Sequence, residues 1–180
     1  FKLFSTRITE EVTEKKETML QNMKAGITYV KQHRILIVIV WVALVINFFF
    51  GAFTVGYAFI LVDGLKVQST HFGITEGSLA VGMLVTSIFL ATRKEVKFPL
   101  VVVKRGILTM GALMGLATFP LLIQLPYTSV VIFYIVLMFT FGVSIIFVNT
   151  PIGVMMQKRI DEEYRGRVFG LLETMSMSLM

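Results

Sequence analysis

The feature that most constrains this chain is a run of 28 residues, 35–62, without a formally charged side chain. At about 1.5 Å per residue, an α-helix of this length is about 42 Å long. That exceeds the ~30 Å hydrocarbon core of a bilayer, and a soluble core helix does not need so long an apolar stretch. The run therefore predicts a tilted membrane-spanning helix.

The rest of the chain repeats this pattern, with apolar runs separated by short polar segments. Of all residues, 56% are hydrophobic and only 16% are charged, which is not the composition of a soluble domain. We expect an all-α fold, a polytopic transmembrane helix bundle over residues 35–180. The predicted spans are residues 35–62, 73–91, 106–125, 130–156 and 168–180, the last truncated by the end of the sequence.

The basic residues are distributed unequally between the predicted loops. Of 17 Lys and Arg residues, only Lys66 lies on the side of the first and third turns. The positive-inside rule then predicts a multi-pass protein of the plasma (inner) membrane, with residues 1–34, 92–105 and 157–167 in the cytoplasm. This topology accounts for the net charge of +6, so we predict the lipid bilayer as a partner and no nucleic acid.

Residues 1–34 are polar and charged, but they carry one apolar stripe. Its members recur at spacings of three, four and seven residues: Ile8, Val12, Met19, Met23, Ile27 and Val30. This spacing predicts an amphipathic linker helix before the first span. The helix either lies on the inner membrane surface or is a solvated linker, and the residues leave both alternatives open.

Residues 157–174, with the sequence QKRIDEEYRGRVFGLLET, form the densest charge cluster in the second half of the chain. Cations resist crossing a bilayer, so the cluster predicts a short cytoplasmic hinge between two spans. We expect Gly166 to form the tight turn of this hinge, because glycine tolerates a positive φ.

Two arginines of this hinge are candidate gating residues. The guanidinium groups of Arg165 and Arg167 are suited to bidentate contacts with carboxylates or with carbonyls at a helix C-terminus. Glu173 and Asp161 are the nearest carboxylate candidates in the sequence. The alternative is that these arginines only anchor the topology of the chain.

This hinge also resembles a known sequence element. The pattern Q-x-x-V-P-x-x-x-R-G-R-V-x-G-L is found between the tenth and eleventh helices of major facilitator superfamily transporters, most similarly in the macrolide-efflux and enterobactin-exporter subgroup. Asp161 stands where that pattern has proline. The matching residues are Gln157, Arg165, Gly166, Arg167, Val168, Gly170 and Leu171.

The resemblance implies helices seven to eleven of a twelve-helix secondary active transporter. Such a protein exports amphipathic small molecules, here a drug or a siderophore, by alternating access, with protons as a candidate coupling ion. It also implies a missing amino-terminal half that supplies the other wall of the substrate cavity.

Polar residues within the first span are the first candidates for substrate contact. Asn47 and Thr54 lie on one helix face together with Gly51 and Ala58. The stripe indicates either a close contact with another helix or a face that lines a cavity. Asn47 is near the middle of its run, and an amide left without a partner in hydrocarbon is costly, so we expect substrate contact there.

The second span carries a similar stripe and an acidic residue. Ser78, Gly82 and Thr86 recur every four residues, and we count Thr86 among the cavity candidates. Glu76 lies near the predicted start of the span. There its carboxylate either stabilises the first turn of the helix through the helix dipole or binds and releases protons, and we expect the first role.

Late in the fourth span the apolar run is interrupted by Asn149 and Pro151. Proline removes a backbone hydrogen bond from a helix, so we predict a kink at Pro151. We expect the side chain of Asn149 to form a hydrogen bond within that kink.

The sequence contains no motif of a known catalytic or metal site. It has no cysteine, no G-x-S-x-G, P-loop or HExxH motif, and its two histidines are predicted on opposite sides of the membrane. We therefore predict no enzyme activity, no metal and no cofactor. A non-transporting membrane scaffold is the alternative function, and a channel would need charged or carbonyl rings that the chain does not show.

Overall fold

A computed structural model of the chain describes residues 19–93, 97–123 and 125–178. All regular structure in these ranges is helical, which confirms the predicted fold class. A π-helical turn, Ile60–Gly64, continues α2 without interruption. The α-helices are α1 (Met19–Gln32), α2 (Arg34–Phe59), α3 (Ser69–Ala91), α4 (Pro99–Leu116), α5 (Phe119–Leu122), α6 (Tyr127–Arg159) and α7 (Glu162–Ser178).

Four helical segments of the described chain are long and apolar enough to cross a membrane. They are Arg34–Gly64, Ser69–Ala91, Pro99–Leu122 and Tyr127–Arg159. Short connections join them, so successive segments run in opposite directions. The start of α2, the end of α3, the start of α4 and the end of α6 therefore lie together, and we call this the basic end of the bundle.

Helix α6 is the centre of the bundle, since 50% of its apolar stretch is buried, against 11–22% for the other three segments. On its α2 side, Phe53 stacks on Phe141 with ring centroids 4.9 Å apart, and Tyr57 meets Tyr134 edge-on at 5.8 Å. The Tyr134 hydroxyl also donates to the carbonyl oxygen of Ala117 (2.6 Å), where α4 ends. One tyrosine of α6 thus contacts both α2 and α4.

Helices α3 and α6 run parallel and approach each other most closely at two glycines. A Cβ atom at Gly82 would overlap the backbone of Phe139, and one at Gly142 would overlap the backbone of Leu79. Small residues at such positions allow two membrane helices to pack backbone against backbone. The stripe predicted on the second span therefore faces α6.

Helix α3 begins at Ser69, before the start of the predicted span 73–91. Glu76 consequently lies about two turns inside the helix, and the first turn contains no acidic residue. The predicted first-turn role of Glu76 is therefore wrong. The polar residues before position 73 extend the helix beyond its apolar part, so the start of the apolar run did not mark the start of the helix.

The predicted hinge over residues 157–167 is much shorter than expected. Helix α6 continues through its basic residues, only Ile160 and Asp161 interrupt the helical structure, and α7 has begun at Glu162. Gly166 lies inside α7 without a positive φ, so the predicted tight turn at Gly166 is wrong. Charge excludes these residues from the bilayer, but Arg and Glu are good helix formers and the helices continue past the apolar region.

Helix α4 also begins earlier than the predicted span 106–125. Pro99 is at its first position, where the missing N–H and fixed φ of proline suit a helix start. Lys104 and Arg105 are therefore helical rather than part of a loop. Their long side chains can extend toward the membrane surface from within the first two turns.

Of the predicted amphipathic helix, residues 1–18 lie outside the described residues, and α1 covers the remainder. Among residues 24–32, where burial is described, Gly26, Tyr29 and Val30 are buried, whereas Ile27 is 38% exposed. The buried face packs against α7 and the start of α2. Of the predicted stripe, Val30 is thus buried and Ile27 is not, because Gly26 and Tyr29 provide the contact with α7.

Candidate functional site

A cavity of about 140 Å³ lies between α2, α4 and α6. Asn47 lies thirteen residues from the start of α2 and Asn149 ten residues from the end of α6, about 20 and 15 Å from the basic end. In a hydrocarbon core of ~30 Å the cavity is therefore near the middle. Its lining combines these two amides with the apolar residues Ile46, Phe50, Met110, Ile145 and Val148.

The two side-chain amides differ in how many of their hydrogen-bonding groups have a partner in the protein. Asn47 Nδ2 donates to the carbonyl oxygen of Ala43 (2.8 Å) in its own helix. A second N–H and the amide oxygen of Asn47 remain for contacts with the cavity. The side chain of Asn149 is exposed and has no hydrogen-bond partner in the described part of the chain.

The predicted bond of Asn149 within a kink is therefore wrong, since its side chain lines the cavity instead. Pro151 is buried inside α6, and the helix is continuous across it. The kink itself stays a prediction. The sequence signal for the pair was present, because Asn47 and Asn149 are the only asparagines in the predicted spans. The sequence did not show that α2 packs against α6 in the register that brings these two residues to one cavity.

The other two cavity candidates lie elsewhere. Thr54 is exposed, and its hydroxyl donates to the carbonyl oxygen of Phe50 (2.9 Å) in its own helix. Thr86 is only 4% exposed, and its hydroxyl donates to the carbonyl oxygen of Gly82 (2.8 Å) on the α3 face that packs against α6. Of the three predicted residues, the structure brings only Asn47 to the cavity.

A second polar group lies toward the opposite end of the bundle. Thr75 is fully buried and forms a hydrogen bond with the hydroxyl of Tyr57 on α2. Since Thr75 donates its own proton to the carbonyl oxygen of Phe72 (2.7 Å), Tyr57 is the donor in that bond. The next residue, Glu76, is half-buried, and no ion pair involves it within the described residues. An ionisable residue at such a position in a membrane helix marks a candidate functional site.

Arg165 spans the junction between α6 and α7. Its Nε donates to the carbonyl oxygen of Ile160 (3.2 Å), the C-cap residue of α6, and its terminal nitrogen lies 3.4 Å from Glu162 Oε1. The arginine thus contacts one helix-end carbonyl and one carboxylate. Both groups of this pair are partly or largely exposed, so the ion pair itself contributes little to stability.

The remaining hinge candidates are distributed along α7. The guanidinium carbon of Arg167 lies 5.6 Å from the ring centroid of Tyr164, a cation–π arrangement. Glu173 is exposed about three turns after the start of α7, and Asp161 binds the hydroxyl of Tyr29. The structure therefore does not bring these candidates into one cluster with Arg165.

Comparison with known proteins decides the family. The family model of the Major Facilitator Superfamily matches residues 2–180. The chain belongs to this superfamily. Together with the four apolar helices, this indicates a multi-pass membrane protein from a family of transporters, as the resemblance of the 157–174 segment indicated.

Two proteins to which the chain is similar are named macrolide efflux protein A. The chain is 24% identical over 165 residues to macrolide efflux protein A of Enterococcus faecalis, covering 92% of this chain and 49% of that protein. It is also 24% identical over 165 residues to the protein of the same name in Streptococcus pyogenes, covering 92% of this chain and 39% of that protein. The chain thus spans less than half the length of these relatives. No solved structure gives a significant match.

Proposed function

We propose that the chain is the larger part of the carboxy-terminal half of an efflux transporter. The full-length protein exports amphipathic small molecules, a drug or a siderophore, by alternating access. The observation that carries this proposal is the cavity near the middle of the bundle with its two amides, since transporters of this architecture bind substrate at that depth. The names of the similar macrolide efflux proteins support the export of small molecules.

The size of the cavity limits its role. A drug-sized ligand needs about 300–1,000 Å³, whereas this cavity has about 140 Å³, room for a few water molecules. We propose that Asn47 and Asn149 form a polar subsite at the edge of a larger cavity, whose other wall comes from a preceding half of the same transporter. The amides would accept and donate hydrogen bonds to a polar group of an otherwise apolar substrate.

We also propose protons as the coupling ion, with Glu76 as the group that exchanges them. Glu76 lies about 10 Å from the start of α3 along the helix axis and about 4.5 Å beyond the start of its apolar part at residue 73. A carboxylate inside the apolar part must be neutralised by a proton or a cation, or must face water. The absence of an ion pair at Glu76 within the described residues supports a proton.

The amide pair gives the direct test of the proposed function. Asn47→Ala and Asn149→Ala should each raise the KM for export of an amphipathic drug by about 2- to 12-fold, the loss of one typical hydrogen bond. Thermal unfolding in detergent should change little, because neither side chain joins two helices in the described part of the chain. Export should be measured with the full-length protein in inverted vesicles.

Thr140→Ala is the matched control for these two variants. Thr140 is on α6, and its hydroxyl donates only to Val136 of the same helix (2.8 Å) at an exposed position. We expect its export kinetics to equal those of the wild type. If both asparagine variants export with unchanged KM, the cavity is not a substrate subsite. If they unfold markedly earlier instead, the amides are packing contacts.

The orientation of the bundle is proposed from the distribution of charge. We place the basic end, with residues 1–34, 92–105 and 157–167, in the cytoplasm of a cell whose plasma (inner) membrane holds the protein. Because the chain has no cysteine, Ser69→Cys should react with a membrane-impermeant maleimide in intact cells, and Lys97→Cys should not. Both positions are exposed, so a difference in labelling reports the side of the membrane and not the burial of the residue. The reverse labelling pattern would invert the topology.

A further inference from the structure

Helix α1 is joined to the α6–α7 corner by the hydroxyl of Tyr29. This hydroxyl donates to Asp161 Oδ2 (3.1 Å) and accepts from the backbone N–H of Asp161 (3.1 Å). Asp161 lies between α6 and α7, and its carbonyl oxygen accepts the backbone N–H groups of Tyr164 and Arg165. One side chain of α1 therefore binds the residue just before α7, 132 positions further along the chain.

The ring of Tyr29 also contacts two other rings. It stacks on Tyr164 with centroids 4.5 Å apart and 13° between the planes, and it lies 4.5 Å from the ring of His33. His33 Nδ1 donates to the carbonyl oxygen of Tyr29 (3.0 Å), which fixes the histidine beside it. Only 6% of Tyr29 is exposed, so its ring is buried between α1 and α7.

The backbones of α1 and α7 also approach each other closely. A Cβ atom at Gly26, one turn before Tyr29, would lie 3.2 Å from the carbonyl oxygen of Arg167 and 3.7 Å from its Cβ. We refer to Gly26, Tyr29, Asp161, Tyr164 and Arg167 as the α1–α7 clasp.

The α1–α7 clasp connects parts of the bundle that are distant in sequence. A buried apolar cluster beside it includes Val30 of α1, Leu36 of α2, Met156 of α6 and Val168 of α7. Helix α1 joins α2 through His33 alone. A displacement of α1 therefore acts on the start of α2 and on the start of α7 together.

We propose that the α1–α7 clasp is a strap across the basic end of the bundle, closed in this conformation, which must open during each transport cycle. This inference rests on the proposed function, since alternating access requires that end to open and close. Two hydrogen bonds at a partly buried site and one stacked ring pair hold the strap, so its closure is reversible. Closure fixes α1, α2 and α7 relative to one another.

Crosslinking tests the closed state without a transport assay. In the full-length protein with any other cysteine removed, Gly26→Cys with Arg167→Cys should form a disulfide under mild oxidation in membranes. The 3.7 Å between the two Cβ positions is close to the ~3.8 Å mean of natural disulfides. Ile27→Cys with Arg167→Cys is the matched control, because Ile27 is exposed on another part of the α1 surface. Equal yields for the two pairs would overturn the closed clasp.

The contribution of the Tyr29 hydroxyl can be isolated in the same assay. Tyr29→Phe keeps the stacked ring and removes both hydrogen bonds to Asp161. On the double-cysteine background it should lower the crosslinking rate about tenfold, because the clasp then spends more time open. An unchanged rate would show that the hydroxyl does not hold the clasp closed.

Export by the same protein tests the requirement for opening. The crosslinked double-cysteine protein should export at least about tenfold more slowly than the same protein after reduction. Each single-cysteine variant is a control, because it shows the effect of its substitution on the export rate without the disulfide. Undiminished export with the disulfide intact would overturn the strap. A wild-type protein that exports no amphipathic drug would overturn the proposed function, and the crosslinking yields would still report whether the clasp is closed.

Discussion

Gly142→Ala should destabilise the bundle strongly, because the added methyl group has no space. The Cβ would overlap the backbone carbonyl of Leu79 on α3, and a backbone atom cannot turn aside as a flexible side chain can. Gly82→Ala should have a similar effect, since its Cβ meets the carbonyl of Phe139 from the other side. Overpacking of this kind costs about 1–3 kcal/mol or more, a large part of a typical net stability.

The measurement is thermal unfolding of the full-length protein in detergent, with yield of folded protein as a second readout. Gly111→Ala and Gly115→Ala on α4 are matched controls, because a Cβ at either position meets nothing within 4 Å. These controls should be neutral or slightly stabilised, since alanine favours a helix over glycine. If Gly142→Ala unfolds at the same temperature as Gly111→Ala, the backbone contact between α3 and α6 is not as close as described.

Glu76→Gln should reduce proton-driven export to the level of vesicles without transporter. Glutamine has nearly the same shape as glutamic acid and the same helix preference, but it cannot release a proton. Substrate binding and the exchange of substrate across the membrane without a proton gradient should persist, because the amides at the cavity are unchanged. The loss should therefore appear only when a pH gradient supplies the driving force.

Asp63→Asn is the control for this experiment. It removes a carboxylate from the exposed turn after α2, at the end of the bundle opposite the basic end. Export driven by a pH gradient should match that of the wild type. Normal proton-driven export by Glu76→Gln would exclude Glu76 as the coupling group and leave the proposed substrate subsite intact.

The sequence predicted four long apolar helices because the bilayer imposes a length and a composition on each span, and the fifth span, 168–180, stays a prediction. It also predicted the stripe of Ser78, Gly82 and Thr86, because small residues every fourth position leave a flat helix face. It did not indicate the partner of that stripe. Gly142, which makes the reciprocal contact, has no distinctive sequence neighbourhood, and only the register between α3 and α6 identifies it.

Two of the errors share one cause, because polar or charged sequence was taken to be loop. A charged residue marks where the apolar region of a helix ends, but the helix itself can continue into the polar surroundings. Gly166 was therefore assigned to a turn although it is helical, and Glu76 to a first turn although α3 begins at Ser69. Pairings between distant residues, such as Asn47 with Asn149, depend on tertiary contacts that one sequence does not reveal.

The glycine contact between α3 and α6 also limits how the bundle can change shape. Backbones in direct contact cannot slide past one another by a fraction of a turn, so we expect the two helices to move as one rigid pair. Glu76 lies on α3 and Asn149 on α6, and the distance between them stays constant when this pair tilts. The gap between Asn149 and Asn47 then widens or narrows only as α2 moves against this pair of helices.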